Sequence, residues 1–430
     1  MQSEVSPPPL SLLLLPPPPS PPSFPALEAA YGPTLRVALS RVASAVEKSS
    51  QAAVLEIALP CPHLFRQLYA PRGRLYHRTQ ELVARIYKLI CIICAKNAID
   101  VDQIGGVDAR ILILAHGRDQ TFSDDGERIS PREVLQGPII DLPTLAFSRR
   151  PWKRIYAAES EQGEKILRSF LSLTRRVPGR KGLGMSVERV RGGTGMVSQS
   201  DQLPTDGTES SNGHQKHLSV AVGGTFDHLH AGHKLLLTMT AFMLEPSFSS
   251  EGVGPERRVI VGITGDELLK NKKFAQYLES WEERKAAATE FLASVIEFLP
   301  SEEQSPHVER LSGEGPNGNV VKTSLSRNLV VECVELSDPF GPTITDPSIS
   351  ALVVSGETRS GGKAINDKRG GKGWQDLEVL EVDVLDAEDE STGAESGTTS
   401  FADNYQSKIS STGIRQRMSE KGAAITENGQ

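Results

Sequence analysis

No stretch of this sequence approaches the run of about 20 apolar residues that a membrane-spanning helix needs. The nearest candidate, Leu10 to Leu15, is too short, is followed by prolines and is preceded by Glu4, so it also lacks the basic start of a secretion signal. Cysteine is scarce: Cys61, Cys91, Cys94 and Cys333 are the only four in 430 residues, which suits a reducing compartment and gives no disulfide framework. A basic excess is missing as well. The net charge of -7 argues against a general nucleic-acid binder. These absences lead to the expectation of a cytoplasmic protein that takes neither membrane nor nucleic acid as a partner.

Cys91 and Cys94 have the spacing of a redox or zinc pair, but no second ligand pair accompanies them. They sit among Leu82, Ile86, Leu89, Ile90 and Ile93, which recur at helical spacing, so they are read as core residues.

Residues 1–30 are rich in proline and low in complexity, and are expected to form a disordered tail. Residues 31–176 read as an α/β region of unknown role, with a strand near 110–115 and a helix near 161–173. The stretch 177–216, rich in Gly, Ser, Thr and charge, reads as a linker. In 217–425 strands and helices alternate, with strands expected at 218–223, 258–264, 329–336, 350–355 and 377–384. Helices are expected at 232–243, 281–299 and 409–420, the middle one opened by the capping box Ser280 to Glu283. The polar stretches 246–256, 301–319 and 386–404 read as surface insertions. Such alternation predicts a Rossmann-like parallel sheet, covered on both faces, that binds ligands beyond its strand C-termini.

The densest chemistry lies from Val220 to His233, VAVGGTFDHLHAGH. An apolar strand ends at Gly223 and Gly224. Three histidines then crowd the turn into a helix, where unpaired backbone N–H groups and the helix dipole favour an anion. Ser410, Ser411 and Thr412 sit where a second helix should start, with Arg415 one turn further on. The two segments together predict two walls of one phosphate site. His228, His230 and His233 lack a fourth ligand at recognisable spacing, so no metal site is assigned to them.

Gly224 to His233 resembles the GTFDxxHxGH motif of nucleotidyltransferases related to class I aminoacyl-tRNA synthetases. Ile409 to Thr412 with Arg415 resembles its ISST partner, in the expected order and roughly 180 residues away. Within that superfamily the chain is most similar to eukaryotic-type, fungal-like phosphopantetheine adenylyltransferases. Val261 to Lys273, Trp281 to Lys285, Asp338 to Pro342 and Ser355 to Arg369 carry that narrower resemblance. Nicotinamide mononucleotide adenylyltransferases and cytidylyltransferases share parts of the motifs, but the last two segments favour the phosphopantetheine family. A scaffold that keeps the nucleotide fold without catalysis is the non-enzymatic alternative.

The resemblance implies transfer of AMP from ATP, with Mg²⁺, to 4'-phosphopantetheine, giving dephospho-coenzyme A and pyrophosphate by direct in-line displacement. It implies His233 at the α-phosphate, His230 along the triphosphate, and Thr225 and Lys272 on the acceptor phosphate. Lys270 and Lys273 compete with Lys272 for that role. Gly224, Phe226, Gly232, Ser410, Ser411, Thr412 and Arg415 would hold ATP, and Arg359, expected in a Gly-rich turn, would bind the acceptor. Asp227 would fix the turn. Gly361 to Lys363 and Gly370 to Gly373 lack the hydroxyl residue that follows lysine in a GxxxxGK[ST] loop, so dephospho-coenzyme A kinase is expected as a separate partner enzyme.

Overall fold

A computed structural model describes residues 9–45, 52–101, 105–122, 134–177, 185–194, 216–246, 254–299, 307–313, 318–385, 405 and 408–427. The expected insertions lie mostly outside these residues, as do residues 1–8 and most of 177–216.

The N-terminal half holds β1 (Leu10–Leu14), α1 (Phe24–Ser44), β2 (Ala53–Pro60), α2 (Arg72–Lys96) and β3 (Val107–Leu114). It continues with β4 (Ile139–Ile140), α3 (Leu142–Phe147), β5 (Arg154–Glu159), α4 (Glu161–Arg175) and β6 (Ser186–Arg191). All its strands pair in parallel, in the order β4-β3-β2-β1-β5-β6. Two expectations are corrected here. The segment read as a disordered tail supplies β1, which lies between β2 and β5 with Leu12, Leu13 and Leu14 fully buried. The prolines at 16–19 end this strand, since they cannot continue a ladder. The expected linker contains β6, an edge strand with one buried side chain, Val190, and this explains its polar composition.

The C-terminal half holds β7 (Ser219–Gly224), α5 (Ala231–Phe242), β8 (Arg257–Thr264), α6 (Trp281–Ile296), β9 (His307–Leu311) and β10 (Val320–Leu325). It ends with β11 (Leu329–Leu336), β12 (Ala351–Ser355), α7 (Arg359–Gly371), β13 (Glu378–Val382) and α8 (Ser411–Glu427). The five expected strands are present and run parallel, β13-β12-β7-β8-β11, with antiparallel β10 and β9 added at one edge. That edge hairpin is a correction to the reading of 301–319 as a plain insertion. In register, Val222 on β7 sits beside Val261 on β8 and Val353 on β12, so the strand C-termini share one edge. The chain moves from β7 to β8 on one side and later returns to β12 on the other. The turn after β7 therefore lies at the switch in strand order, where such sheets open a crevice.

One hydrophobic core runs through both halves. α2 packs on α5 across the seam, where Tyr76 and Phe242 meet edge to face with centroids 6.3 Å apart. Cys91 and Cys94 are buried there, as expected for core residues. Among the described residues, no helix is long and apolar enough to cross a membrane.

Candidate active site

The turn from Gly224 to His230 holds two non-glycine residues in the left-handed region, Phe226 at φ 53° and His228 at φ 46°. Side chains rarely accept that conformation without external support, and here the support is dense. The His228 N–H donates to Glu279 Oε2 at 2.7 Å, and its ring Nε2 bonds the Tyr277 carbonyl at 2.8 Å. Because a carbonyl only accepts, Nε2 carries the proton. Arg284, fully buried one turn into α6, donates to the Thr225 carbonyl at 2.7 Å, the Glu279 carbonyl at 3.0 Å and Asp266 Oδ1 at 2.6 Å. The Ser280 capping box fixes the start of α6 and so aims Arg284.

Asp227 is fully buried and joins the two motifs. One carboxylate oxygen accepts the Glu279 N–H at 3.0 Å, while the other forms an ion pair with Arg415 of α8. Its backbone carbonyl accepts the Ser411 hydroxyl at 2.8 Å. Arg415 also donates to the Lys273 carbonyl at 3.1 Å and to Thr412 Oγ1 at 3.3 Å. The guanidinium expected to hold nucleotide thus ties α8 to the histidine turn and to the segment after β8. Ser410 stands at the N-cap, where its carbonyl accepts the Ile414 N–H at 3.0 Å and its hydroxyl faces the Gly413 N–H at 3.4 Å.

His230 stands at the N-cap of α5 without a side-chain capping bond, so it leaves the first-turn N–H groups of that helix uncapped. The His230 and His233 rings stack with centroids 3.8 Å apart, and Phe226 packs on His233 at 5.3 Å. Nδ1 of each ring is buried and has no hydrogen-bond partner in the protein. Burial, then the His228 ring, pushes the His233 pKa down to about 3. Burial, then the His233 ring, with Lys234 and the His228 ring after it, also drives His230 well down. Both rings are therefore neutral at physiological pH, each with an unused polar atom. A Cβ at Gly232 would come within 3.2 Å of the His230 ring, so glycine keeps this stack open.

Thr225 is half-buried beside the turn, and Gly224 lies where a Cβ would meet the Phe226 ring at 3.1 Å. Lys272 and Lys273 are exposed after β8, whereas Lys270 pairs with Glu267 at 2.5 Å. Arg359 follows β12 on the same sheet edge. It opens helix α7, where a Gly-rich turn was expected, and it is exposed in an ion pair with Glu381 at 2.5 Å. The sequence reading missed Arg284 and Glu279. The capping box was the available signal, because the residue after the N3 glutamate of a buried helix faces the preceding turn.

Residues 221–417 match the family profile described as cytidylyltransferase-like, and residues 1–196 match a domain of unknown function, DUF8446. The chain is 34% identical over 225 residues to an uncharacterised protein of Schizosaccharomyces pombe, covering 52% of this chain and 56% of that one. It is 34% identical over 197 residues to a phosphopantetheine adenylyltransferase of Saccharomyces cerevisiae, covering 46% and 47%. A phosphopantetheine adenylyltransferase of Pyrococcus horikoshii is 30% identical over 166 residues, covering 39% and 78%. The chain thus spans about half the length of the two yeast relatives it matches. With the two motifs joined at one sheet edge and relatives of this kind, the chain belongs to the phosphopantetheine adenylyltransferase family of the nucleotidyltransferase superfamily.

Proposed function

We propose that this protein transfers AMP from ATP to the phosphate of 4'-phosphopantetheine, releasing pyrophosphate and forming dephospho-coenzyme A. The observation that carries the reading is the joining of the two motifs through Asp227, which puts the open N-terminus of α5 and the start of α8 beside each other. The named relatives supply the acceptor.

The acceptor phosphate is an anion already, so the reaction needs no general base. One of its oxygens attacks the α-phosphorus of ATP as the bond to the pyrophosphate oxygen breaks, and the leaving group departs in line. The obstacle is the approach of two anions, so the catalytic contribution is positioning plus stabilisation of charge. The uncapped first turn of α5 offers backbone donors to the phosphates. His230 and His233 present neutral rings whose unused Nδ1 atoms a phosphate oxygen can satisfy once the ring tautomer or charge adjusts. A bound polyanion favours the protonated ring, which strengthens the contact as negative charge accumulates.

Mg²⁺ would arrive with the triphosphate as part of the substrate. Asp227, a buried carboxylate in the turn, is already engaged by Arg415 and the Glu279 amide, and no carboxylate cage stands there among the described residues. ATP and 4'-phosphopantetheine are the substrates of this reading, and a separate dephospho-coenzyme A kinase would consume the product.

The test is a direct assay of the purified chain with ATP and 4'-phosphopantetheine, following dephospho-coenzyme A and pyrophosphate. Nicotinamide mononucleotide with ATP and choline phosphate with CTP serve as competing pairs. His233→Ala should lower kcat on the order of 10²–10³-fold, as for the loss of one charge-stabilising donor. Equal turnover of a competing pair, or near-normal turnover by the variant, would overturn the reading.

A further inference from the structure

Both walls of the site are held by one short stretch of the N-terminal half. Asp108 on β3 accepts Lys234 Nζ at 2.6 Å, and the neighbouring Ala109 carbonyl faces the same ammonium at 3.3 Å. Lys234 directly follows His233 in the first turn of α5 and is 3% exposed. Asp100, just ahead of β3, pairs with Lys408 at 3.1 Å, Arg417 at 2.7 Å and Lys421 at 3.0 Å. Lys408 leads into Ser410, while Arg417 and Lys421 lie on α8. The Cys91 thiol of α2 also points at the Lys408 carbonyl, at 3.9 Å.

We propose that the N-terminal half is the positioning frame of the transfer site, with Asp108 setting the first turn of α5 and Asp100 setting the start of α8. The proposal rests on the adenylyl-transfer reading and gives a role to a half of the chain that the reaction itself does not use. Within the C-terminal half the walls are joined through Asp227, which meets both Ser411 and Arg415. A joint at one place leaves the walls free to pivot. Two further attachments, one on strand β3 and one on the residue Asp100 whose carbonyl bonds the start of that strand, fix their separation, and a misplacement of about 1 Å in such a site costs on the order of 10²-fold in rate.

The seam around Asp108 is not closed by packing. A cleft of about 210 Å³ lies between the halves, bordered by Asp108, Arg110, His228, Lys234, Glu279 and Glu290. Charges therefore hold α5 at this point. Burial alone would raise the Asp108 pKa, but Lys234 and Arg110 reverse that and hold the carboxyl well below its ordinary range. The carboxylate is thus ionised at any pH at which the enzyme would be assayed. The polar cleft can admit water around an altered side chain, so substitutions there should leave a folded protein.

Asp108 and Asp100 are positioning residues, and they should leave different kinetic signatures. Asp108→Asn keeps the side-chain shape and should lower kcat about 10- to 100-fold, with KM for ATP within about threefold of the parent value. Asp100→Asn loosens the α8 wall and should raise KM for ATP about tenfold. Glu164→Gln, on the exposed Arg189 pair of the same half, should change neither parameter. Asp108→Leu with Lys234→Met removes that pair and leaves Arg110 its bond to Glu290 at 2.9 Å, so it should melt close to the parent while kcat stays low.

Each outcome decides. If the parent transfers AMP and Asp108→Asn keeps kcat within twofold, the frame is overturned. It is equally overturned if the Leu/Met pair restores parental kcat, since a merely structural role would recover with stability. If the parent protein makes no dephospho-coenzyme A, the adenylyl-transfer reading fails instead.

Discussion

Replacing Asp227 by Asn tests the joint between the two motifs. The carboxylate is fully buried and Arg415 is 2% exposed, so neither charge has water to fall back on. Asn keeps the volume, and its amide oxygen can still accept the Glu279 N–H. The Ser411 hydroxyl bonds the backbone carbonyl, which the change does not touch. What is lost is the counter-charge of Arg415. Breaking one side of a buried pair costs about 3–5 kcal/mol, because the remaining ion stays desolvated. In a chain of 430 residues that is a fall in Tm of about 3–6 °C. The remaining Arg415 bonds, to the Lys273 carbonyl and Thr412, go to neutral oxygens and cannot replace a carboxylate. ATP affinity, measured by titration calorimetry, should weaken about tenfold as the α8 wall loosens. Adding Arg415→Met removes the stranded cation and should recover at least half of the lost stability without recovering ATP affinity. A single Asn variant with unchanged Tm and unchanged ATP affinity would refute the reasoning.

Acid should destabilise the N-terminal half through His116, which is 3% exposed and whose pKa burial, then the Lys165 charge, pushes down to about 4. The unfolded ring titrates near 6.5, so between those values only the unfolded chain binds the proton. Stability is complete above about pH 6.5 and falls toward pH 4 by roughly 3 kcal/mol. His116→Phe should reduce, but not abolish, the loss of Tm between pH 7 and 4.5, because burial also pushes His63 down to about 4, and an unaltered slope would exclude His116 as a source. Lys272→Ala should raise KM for 4'-phosphopantetheine about tenfold, as expected for one lost charge-assisted bond, with KM for ATP unchanged. If Lys273→Ala produces that effect and Lys272→Ala does not, the acceptor contact moves to Lys273.

The parallel core of the C-terminal half was legible because strands buried on both faces appear as unbroken apolar runs, and the capping box marked the start of α6. Helix α7 was not legible. Gly361, Gly362, Gly370 and Gly371 argue for a turn, and the helix forms because Arg369, 1% exposed, donates back to the carbonyls of Thr343 and Ile349 and forward to that of Gln375. Those tertiary bonds override local propensity. Strand β1 was hidden by composition, since six residues between prolines look like a tail until β2 and β5 are seen on either side. The site histidines could be found from the motif. Their fixing by Arg284, Glu279, Asp108 and Asp100 could not, because each is a single charge whose partner is remote in sequence.

The turn and the stacked histidines impose opposite energetic demands. Two left-handed non-glycine residues and two buried Nδ1 atoms without partners all lie within eight residues, and each unpaired atom alone costs about 1–3 kcal/mol. A protein could relieve this by shifting the turn and letting the rings find protein acceptors. Here that relief is blocked from several directions. Arg284 and Glu279 hold the backbone at Thr225 and His228, Arg415 and Ser411 hold Asp227, and Lys234 fastens the next residue to the N-terminal sheet. Every one of these attachments acts on backbone or on a residue adjoining the histidines, and none bonds a His230 or His233 ring. The two Nδ1 atoms are thereby kept without a protein partner, and under the proposed adenylyl transfer an arriving phosphate oxygen would recover free energy that folding left unused. A site built this way should gain stability from ATP disproportionately to its contact area. Loosening an attachment that is not itself a buried ion pair, such as the Ser411 hydroxyl bond to the Asp227 carbonyl, should reduce that gain before it reduces the stability of the free protein.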